Sequence, residues 1–174
     1  MKRIIVAILV LALMIPQGFS IALAEGSGNN ILWDCTGEDI IVHNNDTITI
    51  KGTAGGVLTV PNNTTVTIVG SVVNMPMNVG LNIGSGAKVR WGAEYRGAGN
   101  RIDVTGKGTL EIVSGALIEN TTGLDDTIAS MDKTITIVVN GGTVRTKGKN
   151  GSSIFTVNSD VIINGGTVED LGDR

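Results

Sequence analysis

Four stretches of this chain share one pattern: two apolar residues two positions apart, a small or polar bend, then another apolar residue, with a glycine five and three positions after the first pair. They are Leu81-Asn82-Ile83-Gly84-Ser85-Gly86-Ala87-Lys88-Val89, Leu110 to Ile118, Ile137-Val138-Val139-Asn140-Gly141-Gly142-Thr143-Val144 and Val161 to Val168. Two shorter forerunners, Thr47 to Gly52 and Thr65 to Gly70, have the alternation without the full bend. The marker glycines 52, 70, 86, 115, 142 and 166 are 18, 16, 29, 27 and 24 residues apart. Those intervals bracket one coil of a stacked β fold, and a repeat of this kind decides the architecture before any single element does.

The unit has a physical reason. Alternation with period two puts a row of Val, Ile and Leu on one side of each strand. One strand cannot bury that row, whereas coils stacked about 4.8 Å apart pair every backbone group and close a dry interior. The chain must bend sharply between strands, and glycine takes positive φ without steric cost. Asn140 and Asn164 fall at matching places, which predicts a two-rung asparagine stack, asparagine being the next best tolerated residue in the left-handed region. The spacing predicts an all-β, single-stranded parallel β-helix of roughly six coils, about 29 Å long. An antiparallel β-sandwich, which uses Gly-rich turns equally well, is the alternative.

Composition agrees with strands. Glycine is 25 of 174 residues, prolines number three and aromatics make up 3%, which excludes collagen and proline-rich linkers. The abundant Val, Ile and Thr suit a pleated surface, so almost no helix is expected.

The ends set the domain organisation. Met1-Lys2-Arg3, the apolar run Ile4 to Ile15 and the small-x-small site Ala22-Leu23-Ala24 read as a secretory signal peptide over residues 1-24, the run being too short to span a bilayer. Residues 25-43 read as a polar leader and N-terminal cap, with Trp33 packing on the first coil, and 44-174 as the β-helix. The last residues, Asp170 to Arg174, follow a repeat copy directly, so either acidic residues guard an open strand edge or the stretch fronts a longer repeat protein. The expected location is secreted or cell surface.

Without Lys2 and Arg3, 11 Lys+Arg face 16 Asp+Glu, a formal charge of −5 that argues against nucleic acid or an anionic membrane as partner. Nor does a second apolar segment approach membrane-spanning length. The lone Cys35 forms no intrachain disulfide and reads as a small buried hydrophobe.

The Asn-Gly-Gly-Thr-Val copies at 140-144 and 164-168, the Ser-Gly-Ala bends at 85-87 and 114-116 and the export signal resemble secreted bacterial right-handed parallel β-helix proteins. That group is pectate-lyase-like in fold and includes adhesins and polysaccharide-binding domains. The likeness covers about residues 44-170 and implies the fold; activity does not transfer with it. Pectin-degrading members use clustered carboxylates, and Gly123-Leu124-Asp125-Asp126 is similar to the paired-aspartate segment of polygalacturonases, although their Asn-Thr-Asp, Gly-His-Gly and Arg-Ile-Lys elements are absent.

From the residues themselves, no catalytic group is nominated. Asp125, Asp126 and Asp132 offer hard oxygen ligands, so calcium is the one cofactor considered, without a fixed loop motif to hold it. Sugar binding calls for aromatic platforms beside polar groups, and Trp91 and Tyr95, flanked by Arg90, Glu94, Arg96 and Arg101, form the nominated patch. Trp33 and Phe155 read as core or cap. Residues 95-101 and 119-133 are the expected binding loops. Threonine pairs such as Thr47/Thr49 and Thr65/Thr67 read as solvent-face strand residues, not as an ice-binding array. The leading expectation is a noncatalytic surface module that binds polysaccharide or mediates adhesion, with a pectin-active lyase or hydrolase and a structural spacer of a larger surface protein as alternatives.

Overall fold

The computed structural model describes residues 28-34, 40-52, 55-74, 78-99, 101-122 and 125-172. The expected signal peptide, leader residues 25-27 and Cys35 lie outside them.

Alternation becomes strand wherever it occurs. The strands are, in chain order, β1 (Asn30–Trp33), β2 (Ile40–Ile41), β3 (Thr47–Ile50), β4 (Gly56–Val60), β5 (Thr65–Val73) and β6 (Val79–Ile83). Then come β7 (Lys88–Trp91), β8 (Glu94–Ala98), β9 (Ile102–Gly106), β10 (Thr109–Ile112), β11 (Leu117–Thr122) and β12 (Ile128–Ser130). The last are β13 (Thr136–Val139), β14 (Thr143–Thr146), β15 (Ile154–Thr156), β16 (Asp160–Ile163) and β17 (Thr167–Asp170).

They stack on three faces. The first face holds β1, β3, the front of β5, β7, β10, β13 and β16; the second holds the end of β5, β8, β11, β14 and β17; the third holds β2, β4, β6, β9, β12 and β15. Each strand pairs in parallel with its counterparts one coil away. The chain is therefore a parallel β-solenoid, and the antiparallel sandwich is overturned. About five three-sided turns follow two entry coils in which, among the described residues, β1 and β3 are followed by the third-face strands β2 and β4 with no second-face strand between. β1 and β2 are rungs of the stack, not a separate cap, so it starts upstream of residue 44.

All six marker glycines take positive φ, between 67° and 107°. They do not mark one corner, however. Gly115, Gly142 and Gly166 turn the chain from first face to second, whereas Gly86 turns it from third to first. Structural register is more even than the glycines imply: Thr65, Lys88, Thr109, Thr136 and Asp160 occupy one position of successive coils, 23, 21, 27 and 24 residues apart. At the first-to-second corner the glycines nearly touch, since a Cβ on Gly166 would lie 2.6 Å from the carbonyl oxygen of Gly142.

Inside, the apolar rows form columns. Ile48, Ile68, Trp91, Ile112 and Val139 stack on the first face, Val72, Tyr95, Ile118 and Val144 on the second, and Val79, Ile102 and Ile128 on the third, all buried. Each such side chain contributes about 1.5–3 kcal/mol on leaving water. Outside, the expected asparagine stack is present: Asn164 Nδ2 donates to Asn140 Oδ1 at 2.8 Å, and Asn140 Nδ2 donates to Glu111 Oε1 at 2.7 Å. Its cause is this ladder of amides and not left-handed backbone, which among the described non-glycine residues is taken by Asn45, Asn63, Asn74 and Asn150.

Candidate functional site

One coil of a solenoid converts neighbours in sequence into positions around a circumference, and this disperses the patch nominated at residues 90-101. Arg90 points outward from the first face, Glu94 and Arg96 outward from the second, and Arg101 stands where the third begins. Trp91 and Tyr95 face inward with 0% exposure, their rings edge to face at 5.9 Å, and Trp91 Nε1 donates to the Ala93 carbonyl at 3.1 Å. They are core residues and present no platform to a sugar, which corrects the sequence reading. Much of the expected loops is strand as well: residues 95-98 belong to β8, and 119-133 contain the end of β11 and all of β12.

The arginines of that stretch are engaged. Arg90 Nε lies 3.5 Å from Glu111 Oε2, and Arg96 Nε 2.9 Å from Glu94 Oε1, a carboxylate that also accepts from Ser71 Oγ at 2.6 Å. On the second face Arg96, Glu119, Arg145 and Glu169 occupy one column, so charge alternates from rung to rung. Glu119 is 2% exposed and paired with Arg145 and with Lys147 at 3.3 Å. Burial works to raise its pKa, but the hydrogen bonds and charges of Arg145 and Lys147 outweigh it and hold the carboxyl below its ordinary value.

The three aspartates do not form a cage. Asp126 Oδ1 accepts from the Ser152 amide at 2.8 Å, Asp132 Oδ2 from the Gly106 amide at 2.7 Å, and the Asp125 carboxylate lies 3.9 Å from Arg101 Nη1. Asp132 sits at the third-to-first corner and the other two at the second-to-third. Among the described residues no three acidic, histidine or cysteine side chains come together to hold a metal ion. Gly123 and Leu124, half of the polygalacturonase-like segment, lie outside the described residues.

The outer surface of the third face is different from the other two. Its register lines up Val57, Gly80, Asp103, Ala129 and Phe155 in one outward column, and Thr59, Asn82 and Thr105 in the next. The first stripe is apolar or small apart from Asp103; the second begins at the exposed Ile41, which pairs with Thr59, and continues as hydroxyls and an amide. Gly80 and Ala129 leave low ground between Val57 and Phe155, and a groove results. A hollow of about 490 Å³ over Val57, Asn78, Gly80 and Leu81 meets one of about 320 Å³ lined by Arg101, Asp126, Ala129, Met131 and Phe155; Asp103 and Thr105 border both. Across the junction Arg101 Nε sits 2.7 Å from Asp103 Oδ1, and Asn78 Oδ1 accepts from the Arg101 amide at 3.1 Å.

Phe155 is the residue the sequence reading missed: it is 40% exposed, whereas Trp33, Trp91 and Tyr95 are at most 2% exposed. A signal was available. Ile102-Asp103-Val104, Ile128-Ala129-Ser130 and Ile154-Phe155-Thr156 are equivalent triplets with the isoleucine inside, which turns the middle residue outward. Of the nominated residues, Arg101 and Asp126 line the groove and Asp125 adjoins it through Arg101. Another hollow, of about 430 Å³, is lined by Ile154, Val161, Ile163 and Val168; these are inward positions of the final described rungs, so it is the unfilled interior of the stack.

No family model, curated protein or solved structure matches this chain.

Proposed function

We propose that this chain is a noncatalytic, secreted or cell-surface β-solenoid module that binds an extended polysaccharide along its third face, as a polysaccharide-binding or adhesive element. One observation carries the reading: an apolar stripe ending in Phe155 runs beside a hydrogen-bonding stripe of Thr59, Asn82 and Thr105, and both follow the stacking direction. A pyranose ring has an apolar face and a rim of hydroxyls, so a glycan strand laid along the groove satisfies both stripes at once. Val57 and Phe155 stand four rungs apart, about 19 Å at ~4.8 Å per rung, which gives room for several sugar units. The strand faces, unlike strand edges, offer no free backbone groups to a peptide. The repeat texture shared with secreted right-handed β-helix proteins and the export signal read at residues 1-24 support the same setting.

A pectin-active enzyme is the second reading, since Asp103 and Asp126 line the groove. Glycoside hydrolysis needs one acid with a proton to give and one carboxylate base. Here Asp103 is engaged with Arg101 and Asp126 with the Ser152 amide, an arrangement that favours binding without turnover.

Retention on insoluble cellulose, xylan and chitin tests the proposal. The protein is expected to be retained on at least one, Phe155→Ala to be retained much less, and Arg90→Ala, on another face, to behave as the parent. Equal retention of Phe155→Ala, or no retention of the parent, contradicts the proposal; release of reducing or unsaturated ends from polygalacturonate favours the enzyme.

A further inference from the structure

We infer that the polymer taken by the third-face groove is an uncharged glycan; this deepens the polysaccharide-binding reading and rests on it. Charge decides the class of polymer. Recognition of a polyuronate or sulfated chain requires cations free to meet an anion at each repeat, as bidentate arginines do. Among the residues lining the two hollows Arg101 is the one cation, and it faces Asp103 at 2.7 Å and Asp125 at 3.9 Å. Asp126 adds a further negative charge to the same wall. The groove lining therefore carries a negative balance, and an anionic strand laid over it would meet two carboxylates for one guanidinium, with Asp125 behind that guanidinium.

The cations on the strands of the first and second faces are already matched by acids. Arg90, Arg96 and Arg145 are matched to Glu111, Glu94 and Glu119, and Lys88 and Lys147 share two of those acids. What remains for a ligand in the groove is neutral chemistry: the hydroxyls of Thr59 and Thr105, the amide of Asn82, and the open surface of Val57 and Phe155. The Arg101–Asp103 pair sets a guanidinium and a carboxylate side by side on the groove wall, Asp103 bordering both hollows and Arg101 one of them. Such a pair suits a hydroxyl, which accepts from one member and donates to the other.

The experiment uses two matched pairs of soluble polymers that differ in charge: hydroxyethyl cellulose with carboxymethyl cellulose, and fully methyl-esterified polygalacturonate with its de-esterified form. Affinity is measured by titration calorimetry on the full chain, at low salt and in about 1 M salt, where the screening length falls to ~3 Å. Expected is binding to at least one neutral member, at least about tenfold tighter than to its charged partner, and unchanged by salt. Phe155→Ala, at an exposed position that leaves the core intact, is expected to weaken it about tenfold. Tighter binding of the charged member of either pair, or affinity that collapses with salt, overturns the charge assignment and leaves polymer binding standing. Failure of all four polymers to bind, or full affinity in Phe155→Ala, overturns the underlying groove reading as well.

Discussion

Buried charge at two positions depends on local partners, and acidification separates their contributions from those of the apolar core. Asp46 is fully buried, and its carboxylate accepts from the amides of Asn29 and His43, each at 2.7 Å, and from Asn29 Nδ2 at 3.2 Å. Burial pushes its pKa up, yet those hydrogen bonds prevail and hold it below the ordinary aspartate value. A carboxyl depressed in the folded state contributes stability above its unfolded pKa and loses it as pH falls through the folded one. The N-terminal rung, anchored through Asn29, is therefore expected to open below about pH 4, before the middle coils. Hydrogen exchange of the β1 amides checks this: protection should fall in acid in the parent, and Asp46→Asn should lower it at neutral pH and flatten the pH response. Glu119 obeys the same sign. Glu119→Ala removes the acid of Lys147 and leaves Arg145 with Glu169 alone, at 3.6 Å, and is expected to cost about 2–3 kcal/mol in urea unfolding, short of the value for a dry pair because both cations keep water. At this scale the sequence was partly legible. The Asn140–Asn164 stack could be read from equal positions in two repeats, but a buried Glu119 could not, since its partners stand 26 and 28 residues away in the next coil.

Corners are where the elements are decided. Gly115 and Gly142 both take positive φ, at 88° and 70°. They differ in surroundings, because nothing lies within 4 Å of a Cβ placed on Gly115, while one on Gly142 meets the Ala116 carbonyl oxygen at 2.7 Å. Gly115→Ala should therefore lose only the backbone preference, about 1–2 kcal/mol. Gly142→Ala adds a steric clash between coils and should lose clearly more, as denaturant midpoints of the two variants would show. The alternation and the positive-φ glycines were enough to read a stacked, parallel architecture. The phase of the coils was not, because Gly86 and Gly115 carry nearly identical motifs at different corners. A bend sequence records how sharply the chain turns, and not which face it leaves.

For the whole molecule, the decisive fact is that function is written along the stack and not along the chain. Residues 90-101 looked like one patch because they are contiguous; wound into a coil they serve three faces, and their aromatic pair fills the interior. Phe155 joins a surface with Val57 and Asp103 only through register, across gaps of 46 and 52 residues. The threonine doublets illustrate the same rule from the opposite side. Thr47 aligns with Thr67 but Thr49 with Val69, and Lys88 and Arg90 follow on the next rung, so no flat threonine array forms. The most direct test of the account is chemical-shift mapping of backbone amides and methyls during titration with a neutral glucan oligosaccharide. The account predicts perturbations along Val57, Thr59, Gly80, Asn82, Asp103, Thr105, Ala129 and Phe155, with Arg90 and Arg96 unmoved; perturbations centred on the first or second face would contradict it.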